Sequence, residues 1–438
     1  MTKVQAAVIA VIIVVAVIAG GWYYWQATKP PEKVTIVMQV DSDPEAESNQ
    51  VAVKYWNENY AQMTGIEVRL DVVSFQGYFD RLTSQLVSDS PTPDIVHPWS
   101  YYVGQYAPYC EPLDDYFANS KLFSSPKGEP YNLNDKPPAI LDTGKSDGKI
   151  YFLSHSGGFL ALIYRTDVIS KPPTTWEEFL ELARKNSKSV NPDSKTTYGA
   201  AVCGLGPIDT TGWKTWLCPY WTYGGKYFKE GTMEPDFESD AALKALNLWD
   251  TLMKEKLMPP DVTGWAFLET MAGMQSGEVA MILDWNPVIG TLRSSTDSPK
   301  VYDKVAMTLP PGIVYTGHNM MGIKKTSQHK EQAFKFLSWL LFGEGIDQEV
   351  PVYQGTLSNA RIYTDPKYQQ YAWVKEAAEM KWQEHVRAEP NYKEMPTIQS
   401  IGSGIINTLL SGKLTPEQAA AKLQSDIYAE LQKAGYYS

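Results

Sequence analysis

The side chains with the widest binding chemistry in this chain are aromatic. The sequence holds 14 Trp and 27 Tyr, which offer a ligand a flat apolar face with a polar edge. Three Trp and two Tyr fall within Gly212–Gly225 (GWKTWLCPYWTYGG), a run with neither helical nor strand periodicity. Signatures of turnover are missing: there is no Walker P-loop, GxGxxG, HExxH or GxSxG. The histidines, at 97, 155, 318, 329 and 385, have no metal-ligand spacing. Asp41-Ser-Asp-Pro-Glu45 lacks the spacing and Gly of an EF-hand loop. Carboxylate pairs for glycoside hydrolysis meet in space, so spacing does not test for them. No catalytic residue, metal or cofactor is expected.

Cys110, Cys203 and Cys218 form no CxxC or Cys/His cluster, which argues against structural zinc. For a chain working outside the cell, Cys203–Cys218 is the favoured disulfide. Three buried thiols are the alternative.

The 438 residues suffice for two or three packed units. With 43% hydrophobic and 20% charged residues the chain is globular, not disordered. A net charge of −11 argues against nucleic acid, whose binders cluster Lys and Arg on phosphates. Val4–Thr28 carries no charged side chain, and Trp22–Trp25 (WYYW) resembles an interfacial belt. Since a bilayer crossing needs about 20 apolar residues, residues 1–32 are expected to be a transmembrane anchor plus linker. A secretory signal cleaved near Ala19-Gly20-Gly21 is the alternative.

The body alternates strand and helix patterns, an α/β arrangement. Val34–Val40 reads as an apolar strand, followed by a helix with Ala52, Trp56, Tyr60 and Met63 at helical spacing. Ile66–Val72 alternates apolar and polar residues, a helix through Tyr78, Leu82 and Leu86 follows, and Asp94–Val96 is a short strand. Such a βαβαβ run builds a parallel sheet. Residues 118–148 read as surface loop. Lys149–Leu153 and Phe159–Tyr164 read as two strands around a Ser154–Gly158 loop. Helices are expected after Thr175, Ser239 and Thr415, two of them with capping-box spacing.

Ten blocks along residues 33–430 resemble, in order, the extracellular solute-binding proteins of ABC importers, in the branch of maltose-binding protein. They are Thr64–Val68 (TGIEV), Pro93–Val96 with Trp99, Gln105–Leu113, Asp147–Tyr151 (DGKIY), Leu162–Asp167 (LIYRTD), Pro172–Phe179, Tyr223-Gly-Gly225, Ser276–Met281 (SGEVAM), Gly322–Lys325 and Ala333–Leu340. The resemblance implies a two-lobe periplasmic-binding-protein-like (Venus flytrap) α/β fold. Lobe one would comprise 33–155 and 320–365, and lobe two 156–319 and 366–438. A solute would sit in the cleft between them.

In that family aromatic rings stack on sugar C–H faces while carboxylates and amides take the hydroxyls. The resemblance therefore implicates Asp41 and Asp43 after the first strand, with helix capping as the alternative. It implicates Trp99, Ser100 and Tyr101 beyond the Pro93–Val96 strand, His155 and Ser156 at the first lobe crossing, and Trp285 with Asn286 after Val279–Leu283. Asn319 precedes a hinge strand. At least one of Trp213, Trp216, Trp221 and Tyr223 is expected to be a second-lobe stacking ring, with Trp216 and Trp221 favoured. Gly158 stands where close homologues carry a sugar-binding Glu; here Gly157 and Gly158 would admit a ring close to the backbone. The implied function is a monomeric, cell-surface receptor, tethered to the membrane. It would deliver a sugar or oligosaccharide to the transmembrane subunits of an ABC permease with separate ATPase subunits. The rivals are another solute in the same fold, such as ferric ion on Tyr101-Tyr102, and a carbohydrate-active enzyme.

Overall fold

The computed structural model describes residues 32–42, 45–74, 77–206, 210–353 and 355–437. The expected anchor, up to residue 31, and Asp43 lie outside them. No helix among the described residues is long and apolar enough to cross a membrane.

The strands run, in chain order, β1 (Val34–Asp41), β2 (Ile66–Val73), β3 (Ile95–Val96), β4 (Lys145–Ser146), β5 (Lys149–Ile150), β6 (Phe152–Arg165), β7 (Ala201–Val202), β8 (Met281–Trp285), β9 (Val305–Thr308), β10 (Val314–Ile323) and β11 (Val386–Arg387). β1 is buried from Ile36 onward on both faces, as befits a strand with parallel neighbours on either side. Those neighbours are β2 and β3. Helix α1 (Glu45–Asn59) crosses between β1 and β2 and buries Ala52, Val53 and Trp56. Trp56 Nε1 donates to Ile66 O at 2.8 Å, fixing the helix on the start of β2. Helix α2 (Tyr78–Leu86) buries Tyr78, Leu82 and Leu86, the spacing read from the sequence.

One sheet runs in the order β2-β1-β3-β10-β6-β8-β7, with β9 added to β6 and β11 to β10. The polar, glycine-rich stretch Ser154–Gly158 is not a loop. It continues β6 as one strand, because antiparallel β10 gives its backbone partners, with Phe152 opposite Gly322 and Phe159 opposite Thr316. Beyond that pairing β6 runs on against β8 and β9. β6 and β10 thus carry the chain between the two halves of the sheet.

Each half has its own core. One packs β1 and α1 on helix α7 (Lys330–Phe342), with Trp56 against Phe336 and Trp339. The other gathers helices α3 (Trp176–Lys185), α4 (Thr211–Thr222), α5 (Asp240–Lys254), α9 (Met395–Leu410) and α10 (Pro416–Lys433), with α4, α5, α9 and α10 at its centre. Helix α6 (Phe267–Gln275) packs in a separate cluster with β7, β8 and β9, and α8 (Gly345–Glu349) lies against α1 and α7 of the first half. α4 is the segment without periodicity in the sequence. Every residue from Thr211 to Trp221 is buried, so no apolar stripe marks one face. Thr175 and Thr415 cap α3 and α10, accepting from the backbone N–H of Glu178 and Gln418.

The expected Cys203–Cys218 disulfide is absent, and both are free, buried thiols. Each sulfur is engaged separately: Cys203 Sγ accepts from Thr270 Oγ1, and Cys218 Sγ accepts from the Tyr315 N–H. Burial raises the Cys218 thiol to about 12, which keeps it protonated.

Candidate functional site

Strand ends and the crossing pair bring most of the singled-out residues to one region. Asp41 closes β1, and Glu45 opens α1 one turn later. His97 and Trp99 follow β3, leading into the short 3-10 turn Ser100–Tyr102. β6 supplies His155 and Ser156, β10 supplies His318 and Asn319, and β8 ends on Trp285.

The first part of the site is charged and buried. Glu45 Oε1 accepts from Ser156 Oγ, from Asn319 Nδ2 at 2.6 Å and from Tyr353 OH at 3.0 Å. Its other oxygen, Oε2, faces His155 Nδ1 at 3.0 Å and His97 Nε2 at 3.3 Å. Behind His155, Nε2 meets Glu349 of α8 at 2.8 Å. Behind His97, Nδ1 stands 3.7 Å from Asp41 Oδ1. Burial alone would lower both imidazoles. The Asp41 and Glu45 carboxylates instead lift His97 to about 10, and Glu349 with Glu45 lifts His155 to about 9. Burial likewise opposes ionisation of Glu45, but His155 and His97 outweigh it and hold its carboxyl well below the usual range. Lys136 lies close by, with Nζ donating to Ser154 O at 2.7 Å, and burial takes it down to about 7.

The second part is aromatic. Lys214 of α4 places Nζ 4.6 Å from the Tyr101 ring centre, 5.7 Å from Trp285, 5.8 Å from Trp99 and 5.9 Å from Tyr315. Cations over ring faces at this range are attracted by the ring quadrupole. Trp99 and Trp285 are half-buried. Trp285 lies over Gly158 and Gly317, where added Cβ atoms would stand 3.0 and 3.1 Å from its ring. The ring that Gly158 admits is therefore one of the protein's own. Gly157 serves His318 in the same way, at 2.6 Å. Asn319 joins the two parts, since its amide reaches Glu45 while its backbone bridges Trp99.

Other expectations fall elsewhere. Trp216 and Trp221 do not face the region. Trp216 is stacked between Trp213 and Tyr220 in the second core, and Trp221 stacks on Tyr315 with Arg387 against its ring. Both are fully buried because α4 is enclosed on all sides. Asn286 is buried and straps β6, its Oδ1 accepting from Phe159 N–H at 2.9 Å. Ser100 Oγ accepts from His318 N–H at 3.2 Å. Tyr101 points at Lys214 and Tyr102 packs on Tyr106, so the pair shares no ligand position. Glu45, His97, Glu349, Lys214 and Tyr315 were not foreseen. They come from separate elements, and no local spacing marks them.

The sequence model of a family described as bacterial extracellular solute-binding protein matches residues 43–345. The chain belongs to that family. A protein of Sinorhizobium fredii, named a probable amino-acid ABC transporter periplasmic-binding protein, is 24% identical over 393 residues, covering 86% of each chain. The mannitol-binding protein of Pseudomonas aeruginosa is 22% identical over 342 residues, covering 70% of this chain and 75% of its own. The solved structure of maltose-bound MalE3 from T. maritima superposes with a TM-score of 0.74 at 20% identity, over 90% of this chain and 99% of that one. This solute-binding protein therefore has the two-lobe α/β fold, with β6 and β10 as crossing strands.

Proposed function

We propose that this solute-binding protein captures a sugar or polyol in the cleft at the crossing strands and hands it to an ABC permease. The carrying observation is the approach of Trp99 and Trp285, from opposite halves of the sheet, to one point between them, now held by Lys214 Nζ. An uncharged sugar gains affinity from stacking area and edge hydrogen bonds. Trp99, Tyr101 and Trp285 supply the former. Lys214 and Asn319 supply the latter in this reading, and Asp41, His155 and Ser156 belong to the same wall. Maltose in one structural relative and mannitol in the name of one sequence relative support this solute class.

The lobes in this reading are 33–155 with 320–365 and 156–319 with 366–438. Residues 1–32 would tether the protein at the cell surface, a reading that rests on the uncharged span Val4–Thr28. The four rings around an ammonium favour one second reading, an amine solute that displaces Lys214. Calorimetric titration with maltose, longer maltodextrins, mannitol and a set of amino acids and amines separates the two. Saturable binding of a sugar or polyol without product formation is the expected result. Binding confined to amines would replace it with the second reading, and turnover of an oligosaccharide would overturn both. For the tether, full-length protein should fractionate with membranes and residues 33–438 alone should not.

A further inference from the structure

We propose that Glu45, His97 and His155 form a binding site for a first-row divalent cation such as zinc, built into the wall beneath the cleft. One donor atom from each of the three lies within 4.8 Å of the other two, and all three side chains are buried. Two imidazole nitrogens and one carboxylate oxygen make a donor set suited to such ions. Two ligands at about 2.1 Å from a tetrahedral ion stand about 3.4 Å apart. The observed contacts from Glu45 Oε2, 3.0 Å to His155 Nδ1 and 3.3 Å to His97 Nε2, are close to that separation.

The surroundings are arranged as an outer shell. The three donors on Glu45 Oε1 leave Oε2 as the oxygen turned to the histidines. His155 Nε2 meets Glu349 Oε1 at 2.8 Å, and a proton held there would leave Nδ1 as the nitrogen facing the centre. A carboxylate behind a ligating imidazole fixes its tautomer and raises its basicity. Asp41 stands behind His97 in the same manner. A second, independent observation points to an occupant. His97 is fully buried, yet its ring nitrogens make only long contacts, 3.3 Å from Nε2 to Glu45 Oε2 and 3.7 Å from Nδ1 to Asp41 Oδ1, with no well-formed hydrogen bond on either nitrogen or on the Asp41 oxygens. Buried polar atoms are rarely left so. A cation on His97 Nε2 would satisfy that nitrogen and draw Nδ1–H toward Asp41. A ligating imidazole nitrogen carries no proton, so metal binding here would release protons. One coordination position is left for a water or a further oxygen ligand.

The site does not depend on which solute the cleft accepts. The test uses the tag-free chain, stripped with chelator and titrated with zinc chloride. One equivalent should bind, with a rise in melting temperature that chelator reverses. His97→Ala should weaken zinc binding about 100-fold, and Glu349→Gln about 10–100-fold as an outer-shell change. If a variant does not fold, X-ray absorption on the zinc-loaded wild type decides. Nitrogen and oxygen neighbours at about 2.0–2.1 Å with two-imidazole scattering support the proposal. No stoichiometric zinc, zinc binding untouched by His97→Ala, or a spectrum without imidazole would each overturn it.

Discussion

Trp285 lies across the backbone of Gly158, so that a Cβ at position 158 would stand 3.0 Å from Trp285 Cε3. The aromatic platform that ends β8 is thus seated on the crossing strand, and a side chain at 158 fits beneath it only if the ring gives way slightly. Gly158→Ala should push the ring by a few tenths of an ångström. Expected is a loss of solute affinity of about 5–10-fold at a folding cost of about 1 kcal/mol. Titration together with chemical denaturation checks this; unchanged affinity would detach Trp285 from solute binding.

Trp99→Ala and Trp285→Ala should each remove about 1–3 kcal/mol of contact, or roughly 5–150-fold in affinity, while the solute-free protein keeps most of its stability. Trp216→Ala should do the reverse. Its ring is enclosed by Trp213, Tyr220 and Phe237, so truncation should cost about 3–5 kcal/mol of folding and alter affinity only secondarily. Melting temperatures and titrations on the three variants separate platform from core.

Asn391 spans the two cores. Its side-chain amide donates to Thr143 O at 2.9 Å and Lys145 O at 3.1 Å beside the β1 core, while its neighbour Tyr392 packs on the α4 core. Gly104 lets the Asn391 carbonyl come close, as a Cβ there would stand 2.5 Å from it. Hydrogen bonds present only when the halves are together favour closure. Asn391→Ala should weaken solute binding about 2–10-fold, for about 0.5–1.5 kcal/mol of lost bonding. Solution scattering should show a larger solute-free radius of gyration, and an identical radius in variant and parent would count against the latch.

His318 predicts an acid limb in the stability curve. Burial takes its imidazole down to about 4, with Lys136 adding to the shift, and its nitrogens face Ser154 Oγ at 2.9 Å and Thr316 Oγ1 at 3.2 Å. The folded ring stays neutral where the unfolded ring, near about 6.5, takes up a proton. Below about pH 6.5 the unfolded state therefore binds more protons, and stability falls toward pH 4 by at most about 3 kcal/mol. His97 and His155 are raised, so their contribution is full below about 6.5 and fades at higher pH, through about 9–10. Denaturant melts between about pH 7 and pH 4.5 should show the limb, and His318→Gln should flatten it.

Much of the frame was legible because its signals are local. β1 and β2 announce themselves by apolar content and alternation, α1 and α2 by helical spacing, and α3 and α10 by Thr175 and Thr415 at their starts. Trp99 and Trp285 stood out because each lies where a strand ends, beside the seam that runs along β6 and β10. α4 was illegible for a physical reason: a helix buried on every side has no polar face to reveal its period. Ser154–Gly158 looked like a loop because its residues are polar and small, yet β10 supplies the hydrogen bonds that make it a strand. Cys203 and Cys218 are near in sequence, but the fold gives each sulfur its own partner.

The sequence by itself determined the α/β alternation, the strand ends that lead into Trp99 and Trp285, and membership of a family whose matched blocks run along the chain. Only the tertiary structure decided which side chains meet. Asp41, Glu45, His97, His155 and Glu349 come from β1, α1, the turn after β3, β6 and α8, and no local pattern joins them. Their convergence is fixed by the parallel pairing of β1 with β3 and the antiparallel pairing of β10 with β3 and β6. Long-range strand pairing sets those distances, and a local reading of the chain contains no term for it.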